Sequence, residues 1–418
     1  MSGSPEVSTA SIGITEASEG KPAWGAVYAM ALCSFGLVSF EFMPVSLLSP
    51  IAKDLRLTEG QAGQAISACA LAALVTSLAV SKVIGGIDRR RVLLFQTTLM
   101  ILSGAIVAFA PNFPVMLVGR VLVGVALGGF WSLSAATAMR LVPARSVPKA
   151  LAVVNAGPAL ASTIAAPLGS FIGGLLGWRG AFFSFIPLAV AALAWMAISL
   201  PSLPARRHKD AGSMIDLLRK PGVAHGYLGG LLFFAGTFWL FTYLRPFLEQ
   251  VTHVRGAQLS GVLLIVGIAG FVGTSLIGRA IGERLHLTLA ALPGILAVVA
   301  IGLATYGHSL LATGALLAIW GLVSTAAPVV WWTWVTRAAP NNAEAGGGLM
   351  VAVAQIGICV GAGGGGVLFD GYGPVATFIG SAVLLVVAAL VALTIGGRAK
   401  VCGGARNDVC TSARAVAP

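Results

Sequence analysis

Residues Gly119 to Trp131 read GRVLVGVALGGFW, one arginine inside an apolar run that continues from about Phe113 to Met139. Such a run is long enough to cross a bilayer, which takes about 20 residues. At the helical period Arg120, Gly124, Gly128 and Trp131 share one face, so the charge lies beside small residues that admit a neighbouring backbone. That face is expected to look into protein. An ionisable side chain deep in a membrane helix is costly unless it meets a partner or a wet cavity. Arg120 therefore has two readings: a functional charge inside a bundle, or a structural arginine about 10 Å into its helix whose head snorkels to the interface.

The rest of the chain has the same character. It holds 418 residues, 57% hydrophobic and only 10% charged, with a mean hydropathy of +0.93. These values exclude an ordinary soluble protein and predict an all-α membrane protein embedded in a lipid bilayer. The 26 Lys and Arg exceed the 14 Asp and Glu, but the bases stand singly or in short groups between apolar runs. They read as topology signals, and no nucleic-acid partner is expected. Cys33, Cys69, Cys359, Cys402 and Cys410 lack metal-ligand spacing, so no disulfide, metal or cofactor is expected. There is no phosphate-loop lysine motif and no HExxH, and an enzyme is not indicated.

Apolar runs predict spans at 24–48, 60–87, 92–110, 113–139, 147–176 and 181–200, then at 223–248, 259–281, 285–306, 310–334, 346–368 and 375–395. Twelve transmembrane helices in two six-helix bundles follow, with bundles at 24–200 and 223–396, a linker at 201–222 and tails at 1–23 and 397–418. Placing both termini in the cytoplasm puts most bases on that side and leaves Lys53, Arg56, Arg179, Arg245 and Arg255 outside. Asp88-Arg89 and Glu283-Arg284, like Gly177-Trp178 and Gly371-Tyr372, repeat at an offset of about 195 residues, as a duplicated bundle would. Parallel halves place a substrate site at their interface near the midplane. Glycine runs in spans 5 and 11, with Pro158 and Pro167, predict that these symmetry-related helices form a closely packed interface.

Of the acids, Glu41 alone sits inside a span, about 25 Å along its helix and at a depth similar to that of Arg120. Burial favours its neutral form and a nearby arginine favours its charged form, so helix movement would switch its proton affinity. The alternative is a static buried ion pair. Asp88-Arg89 lies in a short turn and reads as a topology signal, with Asp88 also placed to meet a helix N-terminus as a gate. Asn155 and Gln355 are the chief neutral polar groups within spans and could present donors and acceptors to a ligand. Phe238 and Phe241 face lipid or stack on a ligand, and Trp331, Trp332 and Trp334 read as an interfacial belt.

Together these residues resemble the major facilitator superfamily, and within it the twelve-helix drug and small-molecule proton antiporters. The matching elements are Arg120 with Gly124 and Gly128, Asp88-Arg89 after span 2, and Ala166-Pro167-Leu168-Gly169 followed by Gly177-Trp178-Arg179. Ile84 and Arg91 stand where the family's loop carries glycines. Further stretches, among them Glu41-Phe42-Met43-Pro44 and Phe241-Thr242-Tyr243-Leu244-Arg245-Pro246, resemble the superfamily's bacterial purine ribonucleoside exporters. The resemblance implies a multi-pass protein of the bacterial inner membrane that exports purine ribonucleosides such as inosine and guanosine in exchange for protons; a monomer is expected. The resemblance also implies proton coupling by Arg120 and close helix packing at Gly124, Gly128, Pro167 and Gly169. Drug or sugar export on the same scaffold, and a membrane receptor that moves nothing, are the alternatives.

Overall fold

In the computed structural model, which describes residues 22–83, 86–204, 217–219, 221–281, 285–339 and 343–414, every regular element is helical. The first half comprises α1 (Trp24–Asp54), α2 (Glu59–Val83), α3 (Arg89–Ala108), α4 (Phe113–Leu141), α5 (Val147–Ser184) and α6 (Ile186–Ser199). The second half comprises α7 (Pro221–Thr242), α8 (Leu244–Gln250), α9 (Ala257–Ile281), α10 (Leu285–Tyr306), α11 (Leu310–Ala338) and α12 (Ala343–Arg414). Residues 1–21, 205–216 of the linker, the Glu283-Arg284 pair and side chains beyond residue 394 lie outside the described residues.

Local chemistry sets the helix starts. The side chain of Asn112 accepts from the Val115 amide at 3.1 Å, and Pro114 occupies the first turn of α4, where a missing N–H costs nothing. Predicted span 7 is split at Tyr243 into α7 and α8, because Pro246 offers no N–H to the Thr242 carbonyl four residues back.

The described residues contain ten stretches long and apolar enough to cross a membrane. Two of them, 144–199 and 345–394, run to 56 and 50 residues, more than double the length of a single crossing. Each is broken at a glycine in the left-handed region, Gly177 with φ 74° and Gly373 with φ 82°. Only a residue without a Cβ takes that conformation without strain, so the backbone reverses there without a polar loop. The predicted gaps at 177–180 and 369–374 are mostly helical for this reason.

Each half has its own core, around Met30, Phe40, Leu127 and Phe130 in the first and Phe247, Leu296, Trp320 and Phe378 in the second. The glycine seams close these cores. Gly157 of α5 rests on the Ala31 carbonyl of α1, and Gly361 of α12 rests on the Ala235 carbonyl of α7. The two glycine-rich helices thus pack mainly on partners in their own halves, where backbone approaches backbone, and not on each other. The indoles of Trp331 and Trp334 also correct an expectation, since they are 1% and 6% exposed. Gly226 leaves the room that Trp334 fills, Trp331 tilts against Phe233, and only Trp332 of this cluster reaches the surface.

The halves meet chiefly along two seams, α2 with α12 and α5 with α9, and α1 also touches α7 and α8. Ser67 Oγ donates to the Cys359 carbonyl at 3.0 Å in the first, and Ser260 and Ser170 hydroxyls pair at 3.2 Å in the second. Gly267 of α9 lies against the Thr163 carbonyl of α5. These contacts run from mid-helix toward the end carrying the 55–58 and 251–256 turns, called the far end below because Trp24 opens α1 at the other. Exposed apolar side chains such as Phe95, Ile198 and Leu311 cover the outer surface, as a lipid-facing surface requires.

Candidate functional site

Arg120 is completely buried, and its guanidinium makes three hydrogen bonds, all to backbone carbonyls. Nη1 donates to Phe40 at 2.6 Å, Nη2 to Glu41 at 3.1 Å and Nε to Ala65 at 3.2 Å. One of these acceptors exists because of a proline: Pro44 has no N–H to return to the carbonyl of Phe40, which is left open inside α1. The reach to α2 has an equally local cause. Gly124 and Gly128, one and two turns along α4, lie on the carbonyls of Cys69 and Ala73, where a Cβ would collide. The glycines draw α4 onto α2, and the arginine spans α1, α2 and α4 from within the bundle.

Glu41 is 5% exposed, and its carboxyl interacts with the side chain of Gln355 on α12. Among the described residues no ion pair joins this carboxylate to Arg120; the guanidinium holds the Glu41 main chain instead, with the carboxyl still within reach of its charge. Gln355 is 6% exposed, and its Oε1 is buried with no hydrogen-bond partner among the described residues. An orphaned buried acceptor costs about 1–3 kcal/mol, so this oxygen is poised to accept from a ligand or from a protonated carboxyl.

One residue on from Glu41 in α1, Phe42 brings its ring within 5.7 Å of Phe238 and 6.1 Å of Phe241, which lie 5.9 Å from each other. The structure therefore gathers Glu41, Gln355, Phe238 and Phe241 at the boundary between the halves and adds Phe42, which the sequence reading passed over. Its signal was adjacency to the one acid within a span. Asn155 is exposed on α5, with its amide donating to Leu151 of the same helix at 2.9 Å. Pro167 is buried, and Gly169 rests on Ser46 and Met43, seating α5 on α1.

Asp88 caps α3. Its Oδ1 accepts from the amides of Arg90 and Leu203 at 2.9 Å each, and its Oδ2 accepts from the Ser202 hydroxyl. The Ser202 hydroxyl above all, with both amides, holds this carboxyl below the usual carboxylate range. The amide of Arg89 donates to the Leu203 carbonyl at 3.0 Å, so in this conformation the turn is tied to its own helix and to the segment after α6.

Comparison with known proteins agrees with this architecture. The Major Facilitator Superfamily profile matches residues 29–362. A Pseudomonas aeruginosa protein described as the transcription regulatory protein OpdE is 51% identical over 382 residues, covering 90% of this chain and 95% of its own. The purine ribonucleoside efflux pump NepI of Salmonella paratyphi C is 41% identical over 371 residues, 89% of this chain and 94% of the pump. Among solved structures, a bacterial homologue of the lysosomal transporter Spinster, inward-facing and unoccupied, superposes with a TM-score of 0.73 at 16% identity, over 90% of this chain and 97% of its own. A POT family transporter bound to 5-aminolevulinic acid gives 0.74 at 13% identity, over 91% and 98%. With the profile spanning most of its length, this chain belongs to the major facilitator superfamily.

Proposed function

We propose that the protein exports purine ribonucleosides such as inosine and guanosine from the bacterial cytoplasm in exchange for protons. It does so as a monomer of twelve crossings with both termini cytoplasmic, the two double-length helical stretches each counting as two. The observation that carries the reading is the placement of Glu41 against Gln355 at the boundary between halves, which the rings of Phe42, Phe238 and Phe241 also bridge. An ionised Glu41 accepts from the Gln355 amide; a protonated one donates, and the amide then presents a different edge to a bound nucleobase. Rings at that boundary offer stacking to a purine. The 41% identity to the Salmonella pump supports the substrate class. One proton moving down 100 mV yields about 2.3 kcal/mol, enough to sustain a gradient of some tens-fold.

A second reading is favoured by the description of the Pseudomonas relative: a membrane protein that regulates without transporting. Everted vesicles loaded by an imposed pH gradient separate the two. Accumulation of labelled inosine that collapses with a protonophore is the expected result; no accumulation at matched protein level sinks the transport reading. Competition by drugs or sugars stronger than that by guanosine moves the substrate to those classes.

A further inference from the structure

The far end of the molecule is closed by two contacts of opposite sign, and in each a charged side chain of the second half takes a backbone group that the first half leaves unsatisfied. The first depends on Pro50. Lacking an N–H, it cannot return a hydrogen bond to the Ser46 carbonyl four residues earlier in α1. Arg245, in the first turn of α8, donates Nη1 to that oxygen, while its Nε is held by Glu249 of the same helix at 2.8 Å. The second contact depends on the start of α2, whose first amides have no intrahelical acceptor. Asp370 of α12 accepts from the Gly60 amide at 2.9 Å and from the Thr58 hydroxyl at 2.6 Å. Glycine is needed here because a Cβ at residue 60 would strike the Asp370 carboxylate. One turn back, Gly366 lies so close that its own Cβ would come within 2.9 Å of the Gly60 Cα.

We infer that Arg245 and Asp370 form a two-point latch that holds this end of the halves shut and lets go each time it opens. The first half contributes a carbonyl freed by Pro50, the Gly60 amide freed by a helix start and the Thr58 hydroxyl, with the Glu59 carboxyl near enough for its charge to act on both Arg245 and Asp370. Water replaces both when the seam parts, so the groups are satisfied in either state and the latch biases the equilibrium without freezing it. Arg245 and Asp370 are thus positioning residues for alternating access, and they touch no substrate.

The test needs no substrate, so it stands or fails separately from the nucleoside reading. In full-length protein with the five native cysteines replaced, spin labels at Lys53 and Tyr372, both exposed at the far end on opposite halves, report its opening as a distance distribution. Asp370→Asn and Arg245→Gln are each expected to raise the open-to-closed ratio about tenfold, equivalent to about 1.4 kcal/mol. Pro50→Ala restores an in-helix donor to Ser46 and is expected to shift the ratio the same way with every charge intact. In the Arg245→Gln background it should add nothing, which general damage to α1 would not reproduce. Unchanged distributions in both charge variants overturn the latch, and an additive effect of Pro50→Ala overturns the carbonyl half of it. Should Arg245→Gln fail to insert, Arg245→Lys, which keeps the charge but not the forked geometry, serves with the same expected direction.

Discussion

The first half of the molecule buries charge as well as aromatic rings, whereas the described residues of the second bury rings without charge. Arg120 sits in the interior of one bundle and Glu41 at its boundary with the other, whose core Trp320, Trp331, Phe247 and Phe378 fill. The duplication offset of about 195 residues carries Glu41 onto Gly236 and Arg120 onto Ala315. Gly236 packs against Leu384 and Leu385, with no room for a carboxyl. One scaffold has therefore been specialised in two directions. Titratable chemistry and its support are built into the first half, and the second brings an amide, two phenyl rings and the latch side chains to meet them.

If this division holds, the largest effect comes from Arg120. Alanine there leaves three carbonyls facing an empty space, and pH-driven export should be abolished while insertion persists. Lysine should restore only part of it, since one ammonium cannot span acceptors on two helices as a guanidinium does. Transport in vesicles matched for protein level decides the matter, and normal export by Arg120→Ala would erase the distinction between the halves.

Glu41→Gln is expected to lose accumulation driven by a pH gradient yet keep exchange of labelled for unlabelled nucleoside, because the helices still move when the charge is permanently absent. Concentrative, pH-dependent uptake into everted vesicles by this variant would assign the proton to another residue. A smaller effect is expected in the second half. Gln355→Leu removes an amide whose oxygen is already unpaired, so the apparent Km for inosine should rise about tenfold while the response to pH gradient survives in sign. A change confined to pH response with Km intact would place Gln355 on the coupling side of the comparison.

The smallest effect is expected at Asp88, a local, half-buried anchor at the helix start. Its carboxyl is held below the usual range, so its stabilising contribution is fully present above about pH 4 and is lost as pH falls through the lowered value. Asp88→Asn should lower the melting temperature slightly at neutral pH, with the gap to wild type closing in acid. A gap that stays constant down to pH 3 would mean that the charge contributes nothing.

Hydropathy made the spans legible because lipid demands about 20 apolar residues per crossing whatever the packing. The face shared by Arg120, Gly124 and Gly128 was legible for a similar reason, since charge and small side chains at helical spacing have few other uses in a bilayer. What Arg120 would bind was not. Pro44 stands in plain view in the sequence, but the carbonyl it frees gains meaning only when α4 is known to lie beside α1. Arg245 and Asp370 were passed over as charges at span ends, because nothing local says which backbone will approach them. Trp331 and Trp334 misled because three clustered indoles beside a basic residue look interfacial, whereas the room for two of them is left by glycines over a hundred positions upstream, Gly226 for Trp334 and Gly229 and Gly230 for Trp331.

The reversals at Gly177 and Gly373 have a practical consequence for anyone wishing to mark or cut this protein. Tags, epitopes and protease sites are tolerated at exposed loop tips, where a few polar residues stand clear of the fold. At these two positions the flanking residues are Leu175, Leu176 and Tyr372, exposed and apolar, and helix resumes at once on either side. An inserted epitope there would have to unwind helix before it could be seen by an antibody. Labelling from that side is better directed to the longer 251–256 turn, and its failure at 177 or 373 would say nothing about which way the chain faces.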